Sequence, residues 1–276
     1  MKKFIALTLA ASLAAVSMTA CSAQKSKLDT IKEAGVIKMA TSPDFAPMEF
    51  ENISANGTKE YVGSDIELGK YIAEKLGVKL QIEAMDFAAV QAAVATGSVD
   101  MAISGFSWTE ERAENMELST FYNLDEESNK CQGLMVLKEK ADQFKSADDF
   151  SGLIVGAQNG SLQQQLASTQ LPSDVEIKPI GALNEGILSL QTGKIDALAI
   201  DGANGELFCE TYDGLAMCEF KFVFESEGNV IACQKGQEDL IAAINDIIKE
   251  VNEKGLYTEW NNEATELAKS LGLDVE

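Results

Sequence analysis

Histidine is absent from all 276 residues. Ser-His-Asp and Cys-His nucleophile pairs are therefore excluded, as are His-ligated zinc and iron sites. The five cysteines include no CxxC pair, so a structural zinc site is not expected, nor is any other metal or cofactor. Proline is scarce, with four residues, and half of them sit close together at Pro43 and Pro47. Positive charge is scarce too: 22 Lys+Arg face 44 Asp+Glu, and a formal net charge of −22 argues against a nucleic-acid partner, whose phosphates need a basic surface. An apolar share of 46% fits a globular protein and neither a disordered tail nor a multi-span membrane protein. What remains is an acidic protein that works by binding, or by carboxylate, lysine or tyrosine chemistry.

Lys2 and Lys3 precede an apolar run from Phe4 to Val16, too short to span a bilayer but suited to the core of an export signal. Met18-Thr19-Ala20-Cys21 follows and resembles the lipobox of bacterial lipoproteins, in which the cysteine becomes a lipidated N-terminus. The alternative is an ordinary signal peptide with an unrelated cysteine. Residues 1–20 are read as the signal and 21–29 as a polar tether, which places the protein outside the cytoplasm and holds it to the membrane by lipid at Cys21. An exported compartment permits disulfides among Cys131, Cys209, Cys218 and Cys233. Cys209 and Cys218 are close enough in sequence to close a small loop, and four free thiols are the other possibility.

The mature chain is near the size at which one core divides into two. Thr96-Gly97-Ser98-Val99-Asp100-Met101-Ala102-Ile103 is echoed by Thr192-Gly193-Lys194-Ile195-Asp196-Ala197-Leu198-Ala199, each copy following a helical stretch and leading into a buried strand. Gly35-Val36-Ile37 is echoed by Gly152-Leu153-Ile154. The echoes predict an α/β fold of two similar lobes joined by two hinge strands, with the ligand cleft between them. Lobe one is expected to span 30–123 and 225–276 and lobe two 124–224, with crossings near Asn123–Asn129 and Phe222–Gly228. Val78, Leu80, Ile82 and Ala84 alternate as a half-buried strand. Ile66, Gly69, Ile72, Ala73 and Leu76 share one helical face ended by Gly77, and Leu240 to Val251 form an amphipathic helix stopped by Gly255.

Ligands of open α/β sheets bind beyond the carboxyl ends of the strands. Four such ends are legible: Thr41–Pro47, with the stiff prolines and Phe45; Ser104–Thr109; Gln158–Ser161; and Asp201-Gly202. The lone arginine, Arg112, follows Thr109, a helix N-cap candidate, and its planar fork can grip a carboxylate with two parallel hydrogen bonds. A surface salt bridge with Glu110 or Glu114 is the competing reading. Asp201, in the facing lobe, is placed to accept an ammonium, or else it caps a helix or turn. Arg112 and Asp201 would bracket a zwitterion, with Ser104, Ser107 and Ser161 adding contacts, a pattern that asks for an α-amino acid.

Residues 35–265 resemble the bacterial extracellular solute-binding proteins of amino-acid ABC transporters, the polar-amino-acid group. The resemblance is carried by Thr41–Phe50, Gly63–Val78, Met85-Asp86-Phe87, Gly97–Asp100, Ile103-Ser104-Gly105, Thr109–Arg112 and Gly193–Ala197. It implies two lobes closing on a free amino acid, which a monomer then delivers to a membrane permease with its ATPase. It also implies that Phe45 and Phe87 pack on the ligand's side chain and that Ser104, Gly105 and Ser107 bind its backbone. Arg112 and Ser161 would take the carboxylate and Asp201 the ammonium. Many relatives carry an acid where Ser42 stands; its absence disfavours a basic ligand, although Asp44 compensates in part. Trp108 replaces a small or aliphatic residue; with Phe45, Phe87 and Phe106 it would make an aromatic-rich pocket for an apolar or aromatic amino acid, and packing beneath the site is the competing and commoner arrangement. Leu118–Tyr122 departs from the family's Phe-Ser-Asp pattern at the first hinge. Two rival functions are a ligand sensor for a signalling partner and an enzyme resembling cyclohexadienyl dehydratase on the same fold.

Overall fold

A computed structural model describes residues 25–53, 57–124 and 131–271. The signal 1–20 and the first four residues of the tether, Cys21 among them, lie outside the described residues, as does the first hinge candidate beyond residue 124. In chain order the elements are α1 (Lys27–Ala34), β1 (Val36–Thr41), β2 (Asp44–Phe45), β3 (Glu49–Ile53), β4 (Lys59–Val62), α2 (Ser64–Leu76), β5 (Lys79–Ala84), α3 (Phe87–Thr96), β6 (Met101–Ala102), α4 (Glu110–Asn115) and β7 (Met116–Leu118). They continue with β8 (Gln132–Leu137), β9 (Ile154–Gln158), α5 (Leu162–Gln170), β10 (Glu176–Ile180), α6 (Leu183–Gln191), β11 (Ala197–Asp201), α7 (Gly202–Thr211), β12 (Leu215–Phe222), β13 (Ala232–Gln234), α8 (Glu238–Lys254) and α9 (Leu256–Ser270).

Two five-stranded sheets result, ordered β5-β1-β6-β13-β7 and β10-β9-β11-β8-β12. Three parallel neighbours are followed by two antiparallel strands in each. The echoed segments fall on equivalent places: Gly35 and Gly152 precede β1 and β9, while Gly97 and Gly193 stand between a helix and the strands β6 and β11. Both sheets are buried on both faces, and adjacent residues divide between the two sides, as the period of a strand requires. Met39 and Met101 pack with α2 and α8, whereas Ala40 and Ala102 pack with α3. In the second sheet Ala197 and Ala199 join Leu162 and Leu166 of α5, and Leu198 and Ile200 join Leu183 and Ile187 of α6.

The helix-end readings hold. Gly77 and Gly255 terminate α2 and α8 in the left-handed conformation, each donating its N–H to carbonyls of the last turn. Six aliphatic side chains of α8, from Leu240 to Val251, are buried; at about 1.5–3 kcal/mol each they make this helix a main anchor of the first lobe. A third, small sheet, β2-β3-β4, carries the proline-rich loop and is held by Ala264 and Ala268 of α9 against Ala46 and Phe50.

The chain passes between the sheets after Tyr122 and again after Phe222. The two passages meet where Tyr122 and Asn229 exchange backbone hydrogen bonds, both 2.9 Å. Gly228 is required there: at φ 147° any Cβ would stand 2.4 Å from the Tyr122 carbonyl oxygen. Cys131, Cys209, Cys218 and Cys233 are free thiols, so the small-loop disulfide is not formed. Among the described residues no helix is long and apolar enough to cross a membrane, and no cluster of His, Cys, Asp and Glu fits a metal ion.

Candidate functional site

The carboxyl ends of β1, β6, β9 and β11 converge on one cavity between the two sheets, with about 490 Å³ of empty space when the open solvent at its mouth is counted in. Of the residues singled out from sequence, Ser42, Phe45, Phe87, Ser104, Gly105, Ser107, Arg112, Ser161 and Asp201 line it. Asp44, Glu49, Gln158, Leu162, Gln163 and Leu183 complete most of the wall.

Thr109 caps α4, its Oγ1 accepting from the Arg112 N–H at 3.2 Å, which turns the Arg112 side chain inward. The guanidinium donates to the Ser107 carbonyl at 2.8 Å and, across the cleft, to the Gly160 carbonyl at 3.2 Å. It lies 5.0 Å from the Phe106 ring centroid and 5.5 Å from that of Phe87. Among the described residues it has no ion-pair partner, so the expected alternative of a surface bridge to Glu110 or Glu114 is not made. Burial lowers its pKa to about 10, which leaves it charged at neutral pH. A buried cation whose only acceptors are neutral carbonyls is a receptor for an anion. Ser161 faces it from the second lobe as the N-cap of α5, whose first N–H groups, at Leu162 and Gln163, border the same space.

Asp201 caps a helix, one of the two readings considered for it. Its Oδ1 caps α7 by accepting from the Ala203 and Asn204 N–H groups, and its Oδ2 accepts from Gln132 Nε2 at 2.7 Å. Burial raises its pKa to about 6, so at neutral pH it is a carboxylate at the cavity wall. Phe45 packs against the cores of both lobes. Gly105, at φ 57°, lets it approach, since a Cβ there would stand 2.9 Å from the Phe45 ring.

Two aromatic expectations are corrected. Trp108 is 45% exposed and does not line the cavity. Ser107 faces the ligand space and pairs with Asn229, so the next side chain is directed the other way, as extended backbone dictates. Phe106 is fully buried beneath Arg112 and packs on Phe87, with tilted rings whose centroids are 5.0 Å apart, instead of bounding the cavity.

Glu49 was not anticipated from sequence. It begins β3 opposite Phe45 and is fully buried. Its Oε1 accepts from Ser104 Oγ at 2.8 Å, and that hydroxyl accepts from the Ser42 N–H at 3.0 Å. Its Oε2 meets no donor. Burial first, and then the charge of Asp65, push the Glu49 pKa well above the usual carboxylate range. Asp65 accepts from Gly105 N–H, Tyr122 OH and Tyr257 OH at 2.8, 3.0 and 2.7 Å, and burial raises it to about 6. Asp44 reaches over the cleft: its Oδ2 accepts from Leu183 N–H at 2.8 Å and Gln158 Nε2 at 3.2 Å, and burial raises its pKa. An acid in a short strand ordinarily reads as a solvent-facing residue, and no local pattern marks Glu49 as an exception.

Comparison with known proteins agrees with this geometry. The model of the bacterial extracellular solute-binding proteins, family 3, matches residues 37–266. The arginine-binding extracellular protein ArtP of Bacillus subtilis is 27% identical over 92% of this chain and 94% of its own. A crystal structure of AbpA, an amino-acid ABC transporter substrate-binding protein from Streptococcus pneumoniae bound to L-arginine, superposes with a TM-score of 0.80 at 30% identity, covering 90% of this chain and 99% of that one. A cyclohexadienyl dehydratase of Pseudomonas aeruginosa is 31% identical, over only 42% of this chain. The two-lobed α/β fold, the cleft at its strand ends and the match along most of the sequence show that the chain belongs to the bacterial extracellular solute-binding proteins, family 3.

Proposed function

We propose that this protein is the substrate-binding component of an amino-acid ABC importer, capturing a free α-amino acid between its lobes and delivering it to the permease and ATPase. The observation that carries the reading is the pair of opposite charges on facing walls of one cavity: Arg112, a buried cation without an acidic partner among the described residues, and Asp201, a carboxylate at the head of α7. The ligand carboxylate lies on Arg112 and the N-terminus of α5 at Ser161, and the ammonium lies on Asp201. Ser104, Gly105 and Ser107 follow the ligand backbone, and the side chain passes between Phe45 and Phe87 toward Ser42, Asp44 and Glu49. Lobe one comprises 30–123 with 225–276, and lobe two 124–224. A monomer cleaved after residue 20 and lipidated at Cys21 stands outside the cytoplasm on the tether 21–29.

Charge balance favours a cationic side chain. Three acids, Asp44, Glu49 and Asp201, face the single guanidinium of Arg112 at the cavity wall, an excess that suits a ligand with a cationic side chain. The absence of Trp108 from the cavity removes the support for an aromatic ligand. The arginine-binding names of ArtP and of the AbpA complex point the same way.

A thermal-shift screen against the twenty amino acids, after ligand is stripped by partial unfolding, tests the function. A ligand at about 100 Kd adds roughly 2.7 kcal/mol, a shift of roughly 5–10 °C. Arginine or lysine is the expected hit. Silence across all twenty with folded protein refutes the function, and conversion of prephenate or arogenate to an aromatic product would move the assignment to the dehydratase.

A further inference from the structure

We propose that Glu49 selects the ligand's side chain: it holds a proton until a cationic side chain enters the cavity, and then releases that proton to solvent. This role rests on the amino-acid reading of the same cavity.

The geometry leaves little else for the pair to do. Glu49 and Asp65 are both fully enclosed, and neither has an ion-pair partner among the described residues. Asp65 is supplied with three donors, the Gly105 N–H and the hydroxyls of Tyr122 and Tyr257, which is the environment of an ionised carboxylate. Glu49 receives one donor, Ser104 Oγ, and its Oε2 receives none. The charge of Asp65 bears on Glu49 and raises its pKa further. Two neighbouring buried carboxyls do not readily both ionise, and the uneven supply of donors puts the proton on Glu49.

The groups facing the pair from each surrounding element sharpen this. Asp44 on β2 adds negative charge, which holds the proton more firmly. Tyr122 and Tyr257 are neutral phenols whose own pKa values are raised by burial. Arg112 and Asp201 border the same cavity and are assigned to the two ends of the ligand backbone. Glu49, unlike Asp65, lines the cavity, so a ligand ammonium or guanidinium near its oxygens replaces the proton as the positive charge. Protonated Glu49 plus the cation becomes ionised Glu49 facing the cation, with one proton passed to the buffer. A neutral side chain offers no such exchange. Because the bound state carries fewer protons, affinity for a cationic ligand rises with pH, up to tenfold per pH unit, until Glu49 is ionised without ligand.

Calorimetric titration of the full mature protein at pH 7.5, in buffers of different ionisation enthalpy, counts the protons directly. That pH lies above the ordinary range of a free carboxyl and above the value of about 6 shared by Asp65 and Asp201, so those two contribute little. L-Arginine and L-lysine are expected to release more than about half a proton each, and L-glutamine or any other neutral amino acid that binds, less than about one-fifth. In Glu49→Gln the release with L-arginine is expected to vanish, and preference to move at least tenfold toward neutral side chains. Binding of L-arginine by the wild type with no proton release overturns the role of Glu49 and leaves the amino-acid function standing. Tight binding of neutral amino acids alone overturns it as well. Silence with every amino acid removes the function and this role together. Should Glu49→Gln not fold, the wild-type buffer series decides alone, because a merely structural carboxyl pair exchanges no proton on ligand entry.

Discussion

Arg112→Met should separate stability from function. Burial lowers the Arg112 pKa to about 10, a drop that corresponds to roughly 3 kcal/mol spent on keeping the guanidinium charged in a buried place. Methionine removes that cost and keeps most of the volume, and its thioether makes favourable contacts with Phe87 and Phe106. The losses are the hydrogen bonds to the Ser107 and Gly160 carbonyls. Gly160 retains Gln91 Nε2 at 3.1 Å as a donor, so one carbonyl is left bare, at about 1–3 kcal/mol. The two effects nearly cancel, and the ligand-free variant is expected to melt within a few degrees of the wild type or above it. Binding moves the other way. Removing one partner of a desolvated charge pair costs about 2–5 kcal/mol, which is roughly 30- to 5,000-fold in Kd. Calorimetry for Kd and a thermal melt of stripped protein give both quantities. A Kd within threefold of the wild type, in a variant that folds, refutes the carboxylate clamp. A melting temperature lower by more than about 8 °C refutes the claim that burial of this charge opposes folding. Arg112→Lys should fall between the two, because an ammonium keeps the charge but not the planar fork.

Asp201→Asn is expected to weaken binding at least 30-fold at pH 7.5, with the ratio to wild type shrinking below pH 6. Its pKa of about 6 means that the wild-type side chain takes up a proton there, which an incoming ammonium must displace, and Kd measured from pH 7.5 to 5 checks this. A ratio that stays constant with pH would remove Asp201 as the ammonium partner. Asn204, buried in the second lobe, donates from Nδ2 to the Ala46 carbonyl of the first at 2.6 Å. Asn204→Ala should raise the dissociation rate about 2- to 10-fold in stopped flow with a nearly unchanged association rate. Trp108→Ala should leave affinity within about twofold, because the ring lies outside the cavity; a tenfold loss would return it to the ligand site.

Much of the molecule is legible in local pattern. Helical faces such as Leu240–Val251 and the left-handed glycines Gly77 and Gly255 are set by residues within one or two turns of each other, so periodicity reports them correctly. The echo around Gly97 and Gly193 marks two equivalent strand ends because each is built from a continuous helix–turn–strand segment. Trp108 was misplaced because its neighbours suggested an aromatic group, whereas its direction follows from the pairing of Ser107 with Asn229, far along the chain. Glu49 escaped notice for the same reason. Its enclosure depends on Phe45, Ser104 and Asp65, which come from separate elements, and Asp65 is itself held by Tyr257 across 192 residues.

The amino-acid order by itself determined the two-lobed α/β plan, the strand ends that face the cleft and the single guanidinium, since each is written in a short stretch of chain or in plain composition. Only the tertiary structure decided which charges share one enclosed space. It brought Asp44 to α6, left Arg112 without a carboxylate, and set Glu49 against Asp65 with one donor too few. Desolvation and pairing energies are properties of groups brought together in space, and distance along the chain carries no record of them.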